Sequence, residues 1–417
     1  MTDTEVESLD SFRARARAFI QENIPPSDGY SFLGAASDED ELADVARQRE
    51  LQRLLYDGGL AGIMVPVEYG GQGLTALHNR VLNEEIAGRE IPHRLQVPTM
   101  TPCMTVLLDF GTEAQKKAHV DAILRGDEIW MQMLSEPSGG SDVAGAQTSA
   151  VRDGDEWVLN GSKVWTTGAW WADWGLCLAR TNWDVPKHRG LTVFMVPFAS
   201  PGLEMHRIEL VNGSKEFCQE FLTDVRIPDS CRIGEVDQGW TVGQRWMYYE
   251  RTYTTSPYTL RLQLRGRSAG PWAGMYPTLR RSGRLDDPAA RELAGEGHAL
   301  LLAMGQLSAR LPQAMATGRM TEQAASIGRL MGAQLVRRLQ TISWQLAGSS
   351  GGVWADDDPN AGVGTAYLSR QTGEIAGGTT EMARNVVSER VLGLPRERTM
   401  DKDVPFRDVP KGPTPRR

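Results

Sequence analysis

The sequence predicts an α+β chain in which a β domain separates two helical regions. Three observations point there. Charged segments with helical apolar spacing fill the first third, strand-length apolar runs punctuated by Gly, Asp and Asn fill the middle, and a helical stripe returns after Gly239. The expected division is an N-terminal helical domain at 1–128, a middle antiparallel β domain at 129–236, a C-terminal helical region at 237–400 and a tail at 401–417.

In chain order, 41–55 and 81–89 have helical texture, interrupted by the turn-rich Tyr69-Gly70-Gly71-Gln72-Gly73 and by the stretch from Pro98 to Pro102. In the middle block, Trp157-Val158-Leu159 runs into Asn160-Gly161, which has the composition of a hairpin turn. Further strands are expected at 175–179 and 191–198, the latter bounded by Pro201-Gly202. Asn-Gly-Ser-Lys occurs at 160–163 and again at 212–215, and both copies read as tight turns. Beyond Gly239, the residues Ile327, Leu330, Met331, Leu335, Leu339, Ile342 and Leu346 form one apolar stripe with Arg337 and Arg338 opposite, and Gly348 is placed to stop that helix. The last helix, 380–392, ends at Gly393 with Pro395 beyond it. Residues 401–417 are rich in Pro, Lys, Arg and Asp.

Composition excludes several classes. The 417 residues are 41% hydrophobic and 24% charged, which argues for a packed core and against disorder. With 45 basic against 53 acidic residues, the formal charge of −8 argues against a nucleic-acid footprint. No apolar run approaches the roughly 20 residues of a membrane span. Asp3, Glu5, Glu7 and Asp10 do not fit a secretory signal, and a cytoplasmic location is expected. Cys103, Cys177, Cys218 and Cys231 lack CxxC spacing, so neither a disulfide framework nor a zinc site is expected. The six histidines are isolated and show no metal-ligand spacing.

Two segments carry chemistry. In Met133-Leu134-Ser135-Glu136-Pro137-Ser138-Gly139-Gly140-Ser141-Asp142, glycines flanked by hydroxyls let backbone amides approach a polar ligand, or simply form a turn between elements. In Asn160-Gly161-Ser162-Lys163-Val164-Trp165-Thr166-Thr167-Gly168, an aromatic wall stands beside hydroxyl donors, an arrangement suited to a planar redox ring; a core tryptophan is the plain alternative. These runs are accompanied by 59–66 with Glu68-Tyr69-Gly70-Gly71, by Asp224-Val225-Arg226-Ile227-Pro228, and by Gly378-Thr379-Thr380-Glu381-Met382 with Arg384-Asn385. Over roughly residues 50–395, their order and spacing resemble the acyl-CoA dehydrogenase flavoprotein family.

That resemblance implies a C-terminal four-helix bundle, with FAD held between it and the β domain. It implies that Leu134 and Ser135 meet the flavin pyrimidine edge, that Gly140 and Ser141 belong to a loop shared by the FAD phosphate and CoA, and that Trp165 and Thr167 lie against the flavin ring. Gln345 and Ser349, in Gln345-Leu346-Ala347-Gly348-Ser349-Ser350-Gly351, resemble the segment that touches the adenosine half of a neighbour's FAD, with Ser349 replacing a glycine. Thr379 and Glu381 match positions near the adenosine diphosphate. The family's Arg-x-x-Phe-Gly segment is rewritten at 261–284 as an arginine-rich stretch.

Removing a substrate α-proton calls for a carboxylate base. Where many family members carry that Glu, immediately before Gly-Thr, this chain has Gly377. Helical spacing groups Trp246, Tyr249, Glu250 and Tyr253 on one face, a carboxylate among aromatics. Glu250-Arg251 also resembles the Glu-Arg of isovaleryl and long-chain members, whose base is relocated and whose vacated site is likewise Gly. Glu250 is therefore the expected base, or else a structural carboxylate. The Gly377 N–H is a donor for the thioester oxygen, and Trp246, Tyr249, Arg251 and Ser141 are expected to face substrate. The implied function is an FAD-dependent acyl-CoA dehydrogenase passing electrons to an electron-transferring flavoprotein, as a homodimer or homotetramer. The alternatives are a half-site or non-catalytic subunit of a heteromeric dehydrogenase and a flavin monooxygenase or oxidase.

Overall fold

The computed structural model describes residues 6–27, 37–251, 256–261, 274–352, 360–399 and 401–410. Tyr253, residues 262–273 of the arginine-rich stretch and the acidic Asp356-Asp357-Asp358 lie outside the described residues.

The first region is helical: α1 (Leu9–Asn23), α2 (Asp38–Asp57), α3 (Ala76–Glu85), α4 (His93–Pro98), α5 (Met104–Phe110) and α6 (Glu113–Arg125). Side chains start these helices. Ser8 and Ser37 accept from the amides of Ser11 and Asp40, and Asp38 to Glu41 put negative charge at the positive end of α2. Thr112 and Gln115 form a capping box on α6, which ends on left-handed Gly126. Phe12, Ile20, Leu51, Leu55, Leu82 and Ile86 bury together. The expected interruption at 98–102 is instead a π-helical turn, Thr99–Cys103, joining α4 to α5. The missing proline N–H leaves ladder positions open, and the Thr105 hydroxyl donates to the Thr101 carbonyl.

The middle region is one sheet of eight strands among the described residues: β1 (Trp130–Met133), β2 (Ser149–Asp153), β3 (Glu156–Thr167), β4 (Trp174–Arg180), β5 (Leu191–Pro197), β6 (Leu203–Ile208), β7 (Phe217–Pro228) and β8 (Arg232–Ile233). Their order is β6-β7-β3-β2-β4-β5-β8, with β1 on β4. Most pairs are antiparallel, but β1 runs parallel to β4, because the chain between them crosses over through β2 and β3 before returning. The expected hairpin turn at Asn160-Gly161 does not form. Gly161 stays inside β3, where the pairing with β7 shifts register, and the chain reverses earlier, at left-handed Gly154. The second copy does turn, at Gly213.

After the sheet come α7 (Gly239–Arg251), α8 (Met275–Arg281), α9 (Pro288–Ala316), α10 (Ala325–Ala347), α11 (Ala361–Leu368), α12 (Thr372–Ile375) and α13 (Thr380–Val386). Helix α10 buries Leu335, Leu339, Ile342 and Leu346 against Met275, Ala290 and Ala294, and stops on Gly348 at φ 64°. Helix α13 runs on into a π-helical turn, Val387–Val391.

The segment expected as a tail is docked from 401 to 410. Phe406 is 2% exposed, its N–H donates to the Val185 carbonyl at 2.9 Å, and Pro405 bridges Pro186. One buried phenylalanine is worth about 2 kcal/mol, which composition alone does not reveal. No described helix is long and apolar enough to cross a membrane, and the described residues bring together no cluster of three metal-ligating side chains.

Candidate active site

The loop after β1 is stitched to β3 from below. The Val164 amide donates to the Ser135 carbonyl at 3.0 Å. Lys163, fully buried, donates to the Leu134 carbonyl at 3.2 Å, the Leu178 carbonyl at 2.7 Å and Glu136 Oε1 at 2.9 Å. Glu136 also accepts the amides of Gln147 and Thr148, at 2.6 and 2.9 Å. Burial alone would raise the Glu136 carboxyl, but the Lys163 charge and these amides outweigh it and hold it below its ordinary value. Every donor of the Lys163 ammonium is therefore matched, which is the condition for a tolerable buried ion pair. Leu134 and Ser135, half-buried, top this platform.

At the open end of β3 the register with β7 shifts again, between Val164 and Thr166. Trp165 sits there at φ 68° and is 53% exposed, its ring edge-on to Phe217 at 5.9 Å. A bulky residue at positive φ stores local strain. Thr167 is exposed beside it, while Thr166 turns inward and donates to Glu220 Oε2 at 2.9 Å. Glu220 is fully buried on β7, and its Oε1 has no hydrogen-bond partner among the described residues. Burial pushes its carboxyl up to about 7, against the opposing Thr166 bond and the Lys163 charge. Gly168 ends the strand at φ 66°; a Cβ there would lie 2.2 Å from the Trp171 ring.

Helix α7 leans on this platform through Trp246, whose indole N–H donates to the Gln132 side chain of β1. Trp246 is fully buried in the core, where its ring packs on the sheet. Tyr249 is half-buried, with its hydroxyl donating to Asp109 at 2.6 Å and accepting from Arg245 at 3.1 Å. Arg251 is exposed. Glu250 and Gly377, separated by more than a hundred residues, meet. A Cβ built on Gly377 would lie 3.6 Å from Glu250 Oε1 and 3.8 Å from Arg329 Nε. Gly377 has φ +63°, and Arg329 donates to the adjacent Ala376 carbonyl. Burial raises the Glu250 carboxyl above its ordinary value, opposed by Arg251 and Arg329.

Residues 7–127, 131–225 and 237–392 match in turn the N-terminal, middle and C-terminal domains of acyl-CoA dehydrogenases. The chain belongs to the acyl-CoA dehydrogenase family. It is 31% identical over 397 residues to acyl-CoA dehydrogenase IpdE1 of Mycobacterium tuberculosis, covering 94% of this chain and 99% of that one. Among solved structures, the Tcur3481-Tcur3483 steroid ACAD aligns with a TM-score of 0.73 at 28% identity, covering 93% and 98% of the two chains. The ChsE4-ChsE5 complex of Mycobacterium tuberculosis aligns at 0.69 and 23% identity, a likeness of fold, over 95% and 100%.

Acyl-CoA dehydrogenases are FAD-dependent oxidoreductases, and this chain's residues fit the cofactor: the exposed, strained Trp165 is a free aromatic face, and space beside Gly139 is open. At the end of α10, Gln345 and Ser349 are exposed, and the Gln345 carbonyl accepts from Arg284 at 3.1 Å. Arg284 also pairs with Asp287 at 2.6 Å, and Arg281 reaches Asn360, which in turn donates to Ser350. The arginine-rich stretch thus ends beside the Gln345 segment. The Thr379 hydroxyl caps α13 by accepting the Met382 amide at 3.1 Å, and exposed Glu381 pairs with Arg384 at 3.2 Å. Gly140 and Ser141 are exposed on their loop. Glu136 and Lys163 lie within the two motifs, yet their types and spacing alone imply no role; a lone Lys in a strand of inward apolar residues is the available signal. Nothing in the sequence marks Glu220 or Arg329.

Proposed function

We propose that this acyl-CoA dehydrogenase removes the α- and β-hydrogens of a bulky or branched acyl-CoA to form the trans-2-enoyl thioester, with Glu250 as base and an electron-transferring flavoprotein as electron acceptor. The observation that carries the proposal is the approach of Glu250 to Gly377: the carboxylate stands where the vacated position opens. Burial raises the proton affinity of Glu250 toward the range useful to a general base. The Gly377 amide is available to the thioester oxygen, where negative charge grows as the proton leaves. Bound FAD supplies the acceptor for the β-hydride. Trp165 and Thr167 would lie against its ring, Leu134 and Ser135 at its pyrimidine edge, Gly140 and Ser141 at a phosphate, and Thr379 and Glu381 near its adenosine diphosphate, while Gln345 and Ser349, with Arg284 the candidate for the diphosphate, would meet the FAD of a neighbouring subunit.

The absent Cβ at Gly377 leaves room near the substrate α-carbon, and the similar Tcur3481-Tcur3483 protein is a steroid ACAD, which supports a bulky acyl group. The test is Glu250→Gln, followed by bleaching of the flavin band with a panel of ring-bearing, branched and linear acyl-CoAs. The expected result is a loss of about 10²- to 10⁴-fold in reduction rate with FAD retained. Full-rate bleaching in that variant would remove Glu250 from the mechanism.

A heteromeric assembly is supported by the similar two-component Tcur3481-Tcur3483 steroid ACAD and by the exposed Gln345 and Ser349. Native mass and flavin content of the purified chain decide it: one tightly held FAD per chain in a homo-oligomer argues against a half-site subunit.

A further inference from the structure

The docked C-terminal segment lies beyond residue 392, where the family match ends, and it packs on Arg180 and the β4–β5 connection, from which Lys187 reaches the loop that carries Ser141. Arg180, fully buried at the end of β4, donates to three carbonyls: Ala146 at 2.9 Å, Ala144 at 2.6 Å and Lys187 at 3.1 Å. It thereby ties the turn following Asp142 to the β4–β5 connection. The Phe406 ring lies over that guanidinium at 3.6 Å from its centroid. Lys187 donates both to Asp142, next to Ser141, and to Asp401, at 2.9 and 2.8 Å. Two backbone bonds align the segment, Phe406 N–H to the Val185 carbonyl and Arg407 N–H to the Trp183 carbonyl, each at 2.9 Å, and Arg407 pairs with Asp184.

We propose that residues 401–410 form a clamp that holds the Ser141 loop in shape for a phosphate-bearing group, acting through Arg180 and Lys187 as positioning residues. The inference rests on the proposed use of Ser141 by FAD phosphate and CoA. Arg180 can organise the loop carbonyls only while water is kept from competing for its donors, and the Phe406 ring at 3.6 Å, with the Trp183 ring at 5.7 Å, helps to cover the guanidinium. Asp401 takes part of the Lys187 charge, so that Lys187 fixes Asp142 without swinging to it alone. A flexible loop presenting the same hydroxyl would have to be ordered at the moment of binding, and affinity would fall. Ser141 itself is exposed, so the clamp acts on its backbone and not through contact.

The test compares the full-length protein with Asp401→Asn/Phe406→Ala and with Phe406→Tyr, which keeps a ring over Arg180. Two arms separate the phosphate sources. FAD is titrated into apoprotein, and steady-state rates are measured with an acyl-CoA and with the same acyl group on pantetheine, which lacks the nucleotide. The expected result is a rise of about tenfold either in the FAD dissociation constant or in KM for the acyl-CoA alone, with kcat held and Phe406→Tyr close to wild type. Unchanged FAD affinity together with unchanged KM overturns the clamp, as does an equal loss of rate on both thioesters at saturating FAD, which marks general destabilisation. If wild type oxidises neither thioester, the proposed function fails, and the FAD titration still decides the clamp.

Discussion

Glutamine at position 220 should abolish a pH dependence built into the sheet beneath Trp165. Glu220 is fully buried, bonded by one oxygen to the Thr166 hydroxyl and unpartnered at the other among the described residues. Its carboxyl rises from an ordinary 4.5 to about 7 in the folded protein. With the folded value raised, the unfolded chain loses this proton first as pH increases, and between the two values the folded state binds more protons. Stability from this group is therefore complete below pH 4.5 and is lost as pH rises through about 7. A rise of that size corresponds to about 3 kcal/mol at roughly 1.4 kcal/mol per tenfold. Glu220→Gln retains the shape and an acceptor for Thr166 but cannot ionise. Urea unfolding of the apoprotein, followed by tryptophan fluorescence at pH 5 to 8, should show the two proteins within about 1 kcal/mol at pH 5, and the variant ahead by about 3 kcal/mol at pH 8. A gap that does not change across this range, or wild type gaining stability as pH rises relative to the variant, would refute the assignment of a buried, neutral Glu220.

Lys163→Met should destabilise the apoprotein by about 3–5 kcal/mol, because Glu136 is left charged and buried without its cation; adding Glu136→Gln should recover much of the loss, and unfolding midpoints of the single and double variants check this. Trp165→Gly should relieve the strain at φ 68° without loss of apoprotein stability while raising the FAD dissociation constant about fivefold, since a stacking aromatic is worth about 1 kcal/mol; parallel melting and FAD titrations separate the two effects. Gly377→Glu places a side chain at φ +63°, at a strain of about 1–2 kcal/mol, with its Cβ in ordinary contact with Glu250. The added bulk should shift preference from branched toward linear acyl-CoAs, read as the ratio of kcat/KM values; an unaltered ratio would show that the space beside Gly377 does not set specificity.

The three-part texture, the stop of α10 at Gly348 and the strands around 175–179 and 191–198 were legible because they depend on local periodicity and on residues that tolerate or forbid particular dihedrals. The complementary pair, Glu250 present and Gly377 empty of side chain, was also legible, through the resemblance to family members with a Glu-Arg on the earlier helix and Gly before Gly-Thr. Its spatial meaning was not: only the packing of α7 on β1 and the turn before α13 bring the two together. Helical spacing put Trp246 and Glu250 on one face of α7, but which side of that face meets the sheet is decided by the neighbours, and Trp246 went into the core. Asn160-Gly161 has turn composition yet remains in β3, because the long pairing with β7 outweighs a local preference of a few tenths to 1 kcal/mol. The charged, proline-rich composition of 401–410 suggested a solvated tail, while the single Phe406 found a buried guanidinium more than two hundred residues away. Charge burial follows the same rule. Lys163, Glu136 and Glu220 look like surface residues in sequence, and their protonation is set by what the sheet excludes around them, since desolvation and pairing are properties of three-dimensional neighbours rather than of neighbours along the chain.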